Sequence, residues 1–86
     1  MSPTKTKRGT FDFTIVSKDY TLMESVFDTL DKRLKDKQMG SGYDLTSGER
    51  DHHFVCRAEK DAMQIAAAYA NAFKGKRVGV SMYDND

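Results

Sequence analysis

Thr10-Phe11-Asp12-Phe13-Thr14-Ile15-Val16 alternates strictly, with Phe11, Phe13 and Ile15 on one side and Asp12, Thr14 and Val16 on the other. A period of two in aromatic and β-branched residues predicts a half-buried strand. Only one side is strongly apolar. A sheet covered on both faces would read as a continuous apolar run, so this stretch predicts a sheet with one covered face and one open face.

Downstream, Ser17-Lys18-Asp19-Tyr20 breaks the alternation, and Thr21-Leu22-Met23-Glu24 has the spacing of a capping box, which predicts a helix start. Leu22, Met23, Val26, Phe27, Leu30 and Leu34 then recur at threes and fours, the stripe of one amphipathic helix. Asp28 with Lys32 and Asp31 with Lys35 are acid-before-base pairs four apart on its other face. Asp19 and Glu24 suit the positive end of the helix, and Lys32, Arg33, Lys35 and Lys37 suit its negative end. Gly40 and Gly42 predict the stop.

Tyr43–Thr46 alternates again, Ser47-Gly48-Glu49 reads as a tight turn, and Arg50–Ala58 resumes as a longer strand, which together predict a hairpin. In its second arm His52, Phe54, Cys56 and Ala58 form the more apolar side, opposite Asp51, His53, Val55 and Arg57. From Lys60 or Asp61 to Lys74, a second helix places Ala62, Ile65, Ala66, Tyr69 and Phe73 on one face, and Gly75 supplies its stop. Its small residues Ala62, Ala66 and Ala70 allow close approach to a sheet. A last strand points Val78, Val80 and Met82 inward and Arg77, Gly79, Ser81 and Tyr83 outward.

The order strand, helix, strand, strand, helix, strand predicts an α+β fold, the ferredoxin-like βαββαβ sandwich. In it two helices cover one face of a four-stranded antiparallel sheet. Residues 1–9, basic at Lys5, Lys7 and Arg8 and closed by Gly9, read as a flexible arm. Residues 10–83 read as a single domain, and residues 84–86, with Asp84 and Asp86, as an acidic end.

The chain of 86 residues, 38% hydrophobic and 31% charged, has room for one domain and one core. Its one cysteine cannot form an internal disulfide, and no apolar run approaches the roughly 20 residues of a membrane span. The opening residues lack the apolar stretch of a signal peptide, so a cytoplasmic, reducing location is expected. Fourteen Lys and Arg against 13 Asp and Glu leave a net charge of +1, which selects no class of partner.

Function is sought first on the open face. With the first and third strands central, the expected binding or dimer surface comprises Asp12, Thr14, Val16, His53, Val55, Arg57, Arg77 and Tyr83, with Asp44, Thr46, Asp51 and Ser81 beside them. Stacking on RNA or single-stranded DNA needs exposed rings on central strands. Phe11, Phe13 and Phe54 fall on the core side, which leaves His53 and Tyr83 for stacking and Arg57, Arg77 and the basic arm for phosphate. Asp12, Asp44 and Asp51 would oppose phosphate. His52 and Cys56 share a side but lie about 13 Å apart at about 3.3 Å per residue, and His52 and His53 point to opposite faces, so no metal site is expected. Cys56 reads as a small buried hydrophobe and His52 as a strand-end residue with a hydrogen-bonded partner.

No nucleophile motif, phosphate-binding loop, cofactor signature or catalytic set stands out. His53 with Asp51 and Asp12 is the one candidate for small-ligand binding or acid–base work. Gly40-Ser41-Gly42 follows a helix C-terminus, the wrong dipole end for an anion. Lys32, Arg33, Lys35 and Lys37 serve as dipole complement or as a basic patch for an acidic partner. The expectation is a non-catalytic, protein-binding, regulatory or inhibitory module. It should form a homodimer through the open sheet face or an edge strand, centred on Val16, Val55 and Tyr83.

Overall fold

In the computed structural model, which describes residues 2–85, the alternating stretch forms β1 (Phe11–Ser17). It is followed by α1 (Tyr20–Thr29), α2 (Lys32–Lys35), β2 (Gln38–Asp44), β3 (Glu49–Cys56), α3 (Glu59–Phe73) and β4 (Val80–Asp84). The fold is α+β, with three helices and one four-stranded sheet in the order β2-β3-β1-β4. Every neighbouring pair is antiparallel, and β1 and β3 are central. Met1 and Asp86, the last residue of the expected acidic end, lie outside the described residues.

Register follows from the alternation. Phe11 pairs with Cys56, Phe13 with Phe54 and Ile15 with His52, so the apolar sides of the two central strands coincide. Above them pack Met23 and Val26 of α1, Leu30 and Leu34, and Ala62, Ile65, Tyr69 and Phe73 of α3, in one buried cluster. Phe13 and Phe54 stack with centroids 5.8 Å apart. No helix among the described residues is long and apolar enough to cross a membrane.

The structure corrects the expected first helix in two places. The capping residue is Asp19, whose Oδ1 accepts from the Leu22 backbone N–H at 3.0 Å. Thr21 is already inside the helix, and Glu24 turns away to the sheet. The helix then breaks at Leu30, whose backbone is extended, and Asp31 caps the separate α2 by accepting from the Leu34 N–H. Two local bonds favour the break. Thr29 Oγ1 donates to Val26 O, and the Asp31 carboxylate satisfies a backbone donor that a continuous helix would use internally. Leu30 and Leu34 still reach the core. The expected Asp28–Lys32 and Asp31–Lys35 pairs span the break, and Lys32 pairs instead with Asp36 at 3.4 Å.

Gly40 and Gly42 are not a helix stop. They lie inside β2, beside a bulge between Gln38 and Gly40, and neither has positive φ. Gly75, with φ +74°, does follow α3 as expected. Ala58, expected in the core, is exposed and precedes α3, because β3 ends at Cys56 where β1 begins. Likewise β4 starts at Val80, paired with Ser17 at the end of β1, and Ser17 Oγ donates to Gly79 O at 2.7 Å. Val78 and Arg77 are therefore exposed and outside the strand.

Within the expected arm (residues 1–9), residues 3–9 turn back at Gly9. Lys5 bridges to Phe11, the Thr6 N–H donates to Thr10 O at 2.7 Å, and the Thr4 N–H donates to Asp84 Oδ1 at 3.0 Å. Pro3 is buried.

The corrected cap is testable. Asp19→Ala should cost about 1 kcal/mol of unfolding free energy in urea, whereas Thr21→Ala, at an exposed position inside the helix, should cost nothing, the reverse of what a Thr21 capping box requires.

Candidate functional site

Alternation on the central strands decides which side chains reach the uncovered face. Thr14 pairs with His53 on one side and Tyr83 on the other, Val16 with Asp51 and Ser81, and Asp12 with Val55. Gly40 and Gly42 of β2 stand opposite His53 and Asp51. Of the expected surface, Asp12, Thr14, Val16, His53, Val55 and Tyr83 are thus brought together. Arg57 and Arg77 are not, since both lie beyond the strand ends. Asp44 closes β2, while Thr46 lies in the hairpin turn.

The centre of this face is a hydrogen-bonded cluster. His53 Nε2 donates to Asp12 Oδ1 at 2.5 Å, and Asn85 Nδ2 donates to Asp12 Oδ1 at 3.1 Å and to Thr14 Oγ1 at 2.8 Å. The Asn85 N–H also donates to Asp12 O, which extends the β4 side of the ladder past Asp84. Burial pushes the Asp12 carboxyl up, but the bonds from His53 and Asn85, with the nearby His53 and Arg8, outweigh it and hold the carboxyl below 3.8. Asp12 is accordingly an ionised acceptor pinned by two donors. Thr14 is buried at 7% exposure despite facing the open side, whereas Tyr83 stays 53% exposed. Val16 and Val55 are half-buried beside them.

A second polar cluster lies on the helix side, where the alternation predicts only core. His52 is 1% exposed and sits mid-strand rather than at a strand end. Its Nδ1 meets Tyr69 Oη at 2.6 Å and its Nε2 meets Glu24 Oε2 at 2.6 Å. Glu24 takes a fork from Arg50, Nε to Oε2 at 2.9 Å and Nη2 to Oε1 at 3.0 Å, and Arg50 Nη1 donates to Gly42 O at 3.2 Å. Arg50 holds the Glu24 carboxyl below its ordinary value; burial opposes this and His52 adds to it. Burial lowers the His52 imidazole below 6.5, more than Glu24 raises it.

The tautomer follows from these partners. An ionised Glu24 can only accept, so Nε2 carries the hydrogen, and the bare Nδ1 of a neutral ring accepts from the Tyr69 hydroxyl. Burial pushes the Tyr69 phenol strongly up, which keeps it a donor. The chain Tyr69 to His52 to Glu24, closed by Arg50, leaves none of these buried polar atoms unpaired. The sequence signal for it is two polar residues, Arg50 and His52, on the core-facing side of β3.

Arg33 is paired with Asp61 and donates to Gln64 Oε1 at 3.0 Å, Lys32 is paired with Asp36, and the Lys35 ammonium lies 5.9 Å from the Phe27 ring centroid. Lys37 lies in the turn before β2, its carbonyl accepting from the Val55 N–H. The basic cluster is thus largely engaged within the molecule. Burial pushes the Cys56 thiol up to about 11, which leaves it protonated and unreactive at neutral pH. No group of three His, Cys, Asp or Glu among the described residues is placed to hold a metal ion. Two wide concavities lie off the open face, one between the arm and the start of α3 (Lys5, Phe11, Arg57, Glu59) and one along α1 (Tyr20, Glu24, Asp28).

No protein-family model and no curated protein matches the chain.

Two outcomes check the helix-side cluster. Tyr69→Phe strands the buried Nδ1 of His52 and should cost about 1–3 kcal/mol in urea unfolding. Below pH 6.5 the unfolded chain protonates His52 while the folded chain resists, so stability should rise with pH through the window just below 6.5. Glu24 and Asp12, lowered in the fold, contribute stability above the unfolded carboxylate range that is lost as pH falls through their folded values. Urea midpoints measured across this range should therefore decline in two acid-side stages.

Proposed function

We propose that the chain is a ferredoxin-like domain whose uncovered sheet face is a protein-binding and self-association surface, serving a non-catalytic regulatory or inhibitory role in the cytoplasm. The order β2-β3-β1-β4, with two central strands that are not consecutive in the chain, supports the fold name. One observation carries the functional reading. The helices pack on a single side of the sheet, and the other side gathers Val16, Val55, Thr14 and Tyr83 around a cluster whose polar groups are already hydrogen-bonded to one another. A polar group that enters an interface already hydrogen-bonded loses little on desolvation, so the Asp12–His53–Asn85 cluster does not oppose contact with a second copy.

Size sets the strength. Four strands spaced about 4.8 Å apart and about 20 Å long offer roughly 400 Å² of flat area, against about 800 Å² per partner in a standard stable interface. The contact is therefore a weak, concentration-dependent homodimer centred on Val16, Val55 and Tyr83.

A second reading, acid–base chemistry or small-ligand binding at His53, is supported by the fixed Asp12–His53 hydrogen bond. RNA or single-stranded DNA binding has less support, since Arg57 and Arg77 lie off the strands and Asp12 and Asp51 lie on the face.

Sedimentation of the full chain over a range of concentrations tests the proposal. The wild type should shift from monomer toward dimer through the micromolar range, and Val55→Asp should remain monomeric with its circular dichroism unchanged. A Val55→Asp variant that dimerises like the wild type would place the contact elsewhere.

A further inference from the structure

The sheet ends at β2, with no strand beyond it among the described residues. An edge strand presents a row of backbone donors and acceptors, and proteins commonly guard such rows with lysine, proline or a covering segment. The opposite edge, β4, is five residues long and has the arm against its end, where the Thr4 N–H bonds Asp84. β2 contains neither lysine nor proline. Its bulge disturbs the Gln38 end and leaves Gly40–Asp44 as a regular stretch of edge.

The two sides of that stretch differ in chemistry. On the open side Gly40 and Gly42 carry no side chain, and Asp51 leans across Gly42 so closely that a Cβ there would sit 3.0 Å from Asp51 Oδ2. The Asp51 carboxylate is thereby brought toward the margin of the sheet, and it forms no ion pair among the described residues. The next pair along, Asp44 and Glu49, faces the same side. Three carboxylates thus line the open side of this edge. On the helix side, Tyr43 packs edge-on against Tyr20 with centroids 5.6 Å apart, both about half exposed, and Arg50 lies under the Tyr20 ring at 4.9 Å. Met39, 65% exposed, stands at the other end.

From this we infer that the Gly40–Asp44 edge binds an extended peptide segment of a partner protein, which adds to the sheet as a fifth strand. Its basic side chains meet Asp51, Asp44 and Glu49 on the open side, and its apolar side chains meet Tyr43 and Tyr20 on the helix side. Period-two alternation of an added strand matches this division, because backbone bonds supply attachment and alternate side chains supply selectivity. The carboxylates argue against a nucleic-acid occupant, whose phosphates they would repel. The edge adjoins the open face at Asp51, which pairs with Val16, but attachment through the β2 backbone needs no contact at Val55, so each proposal can fail without the other.

The test uses the full chain and a short dye-labelled peptide alternating lysine and valine, with a glutamate-for-lysine peptide as control. Fluorescence anisotropy should show binding of the lysine peptide and none of the control. Asp51→Lys should weaken binding about tenfold or more through lost charge complementarity, with Tyr43→Ser also weakening it and Val55→Asp leaving it unchanged. Amide chemical shifts should move along Gly40–Asp44, and the circular dichroism of each variant should match the wild type. Equal binding of both peptides, shifts confined to the open face or to Lys32–Lys37, no binding of the lysine peptide, or preferential binding of a single-stranded oligonucleotide would each overturn the inference.

Discussion

Phe13 opposite Phe54 is the contact on which the rest of the molecule depends. Side chains on a strand alternate between faces, so a slip of one residue in the β1–β3 register would send the core side chains of the slipped strand to the open face. Both rings are fully buried, and the single layer of helices closes over them. With this register in place, two consecutive histidines receive opposite fates. His52 is carried into the core and His53 onto the uncovered face.

Each histidine is then matched by a carboxylate from a different element, and the two pairs behave differently because burial differs. His52 is enclosed, so burial dominates, the ring stays neutral, and it links the Tyr69 hydroxyl to Glu24. This cluster joins α1, β3 and α3 beneath the sheet, and Arg50 ties it back to β2 through Gly42 O. A buried polar chain of this kind stabilises only when complete, since each missing member leaves another without a partner. The pair on the outer face, Asp12 with His53, is only partly buried and is held by Asn85 from the end of β4. It organises a surface rather than a core.

Much of this was legible in the chain. Thr10–Val16 and Asp51–Cys56 assign core and open faces correctly, because strand alternation is a local property that the packed structure preserves. The stripe over Ala62–Phe73 likewise gives α3. The first helix is misjudged where one residue can serve two competing bonds. Asp31 fits an intrahelical pair with Lys35 equally well as a cap, and in the fold it caps α2 while Thr29 Oγ1 bonds back to Val26 O. Thr21 and Glu24 satisfy the spacing of a capping box, yet Glu24 is taken by Arg50 and His52, 26 and 28 residues away. Such contacts leave no periodic trace. Gly40 and Gly42 read as stops because glycine commonly ends helices; here both lie inside β2, and at Gly42 the missing side chain leaves room for Asp51, which leans over it. Strand ends at Cys56 and Val80 are set by the length of β1, which is why Arg57 and Arg77 leave the candidate face.

The uncovered face, organised by the Asp12–His53–Asn85 cluster, is the surface through which we propose that this protein meets its own copy. Amide chemical shifts of the full chain recorded against protein concentration test it most directly. Self-association through this face should give concentration-dependent shifts at Thr14, Val16, His53, Val55 and Tyr83, with the amides of α3 unmoved. Shifts confined to the helices, or spectra identical at every concentration, would contradict it.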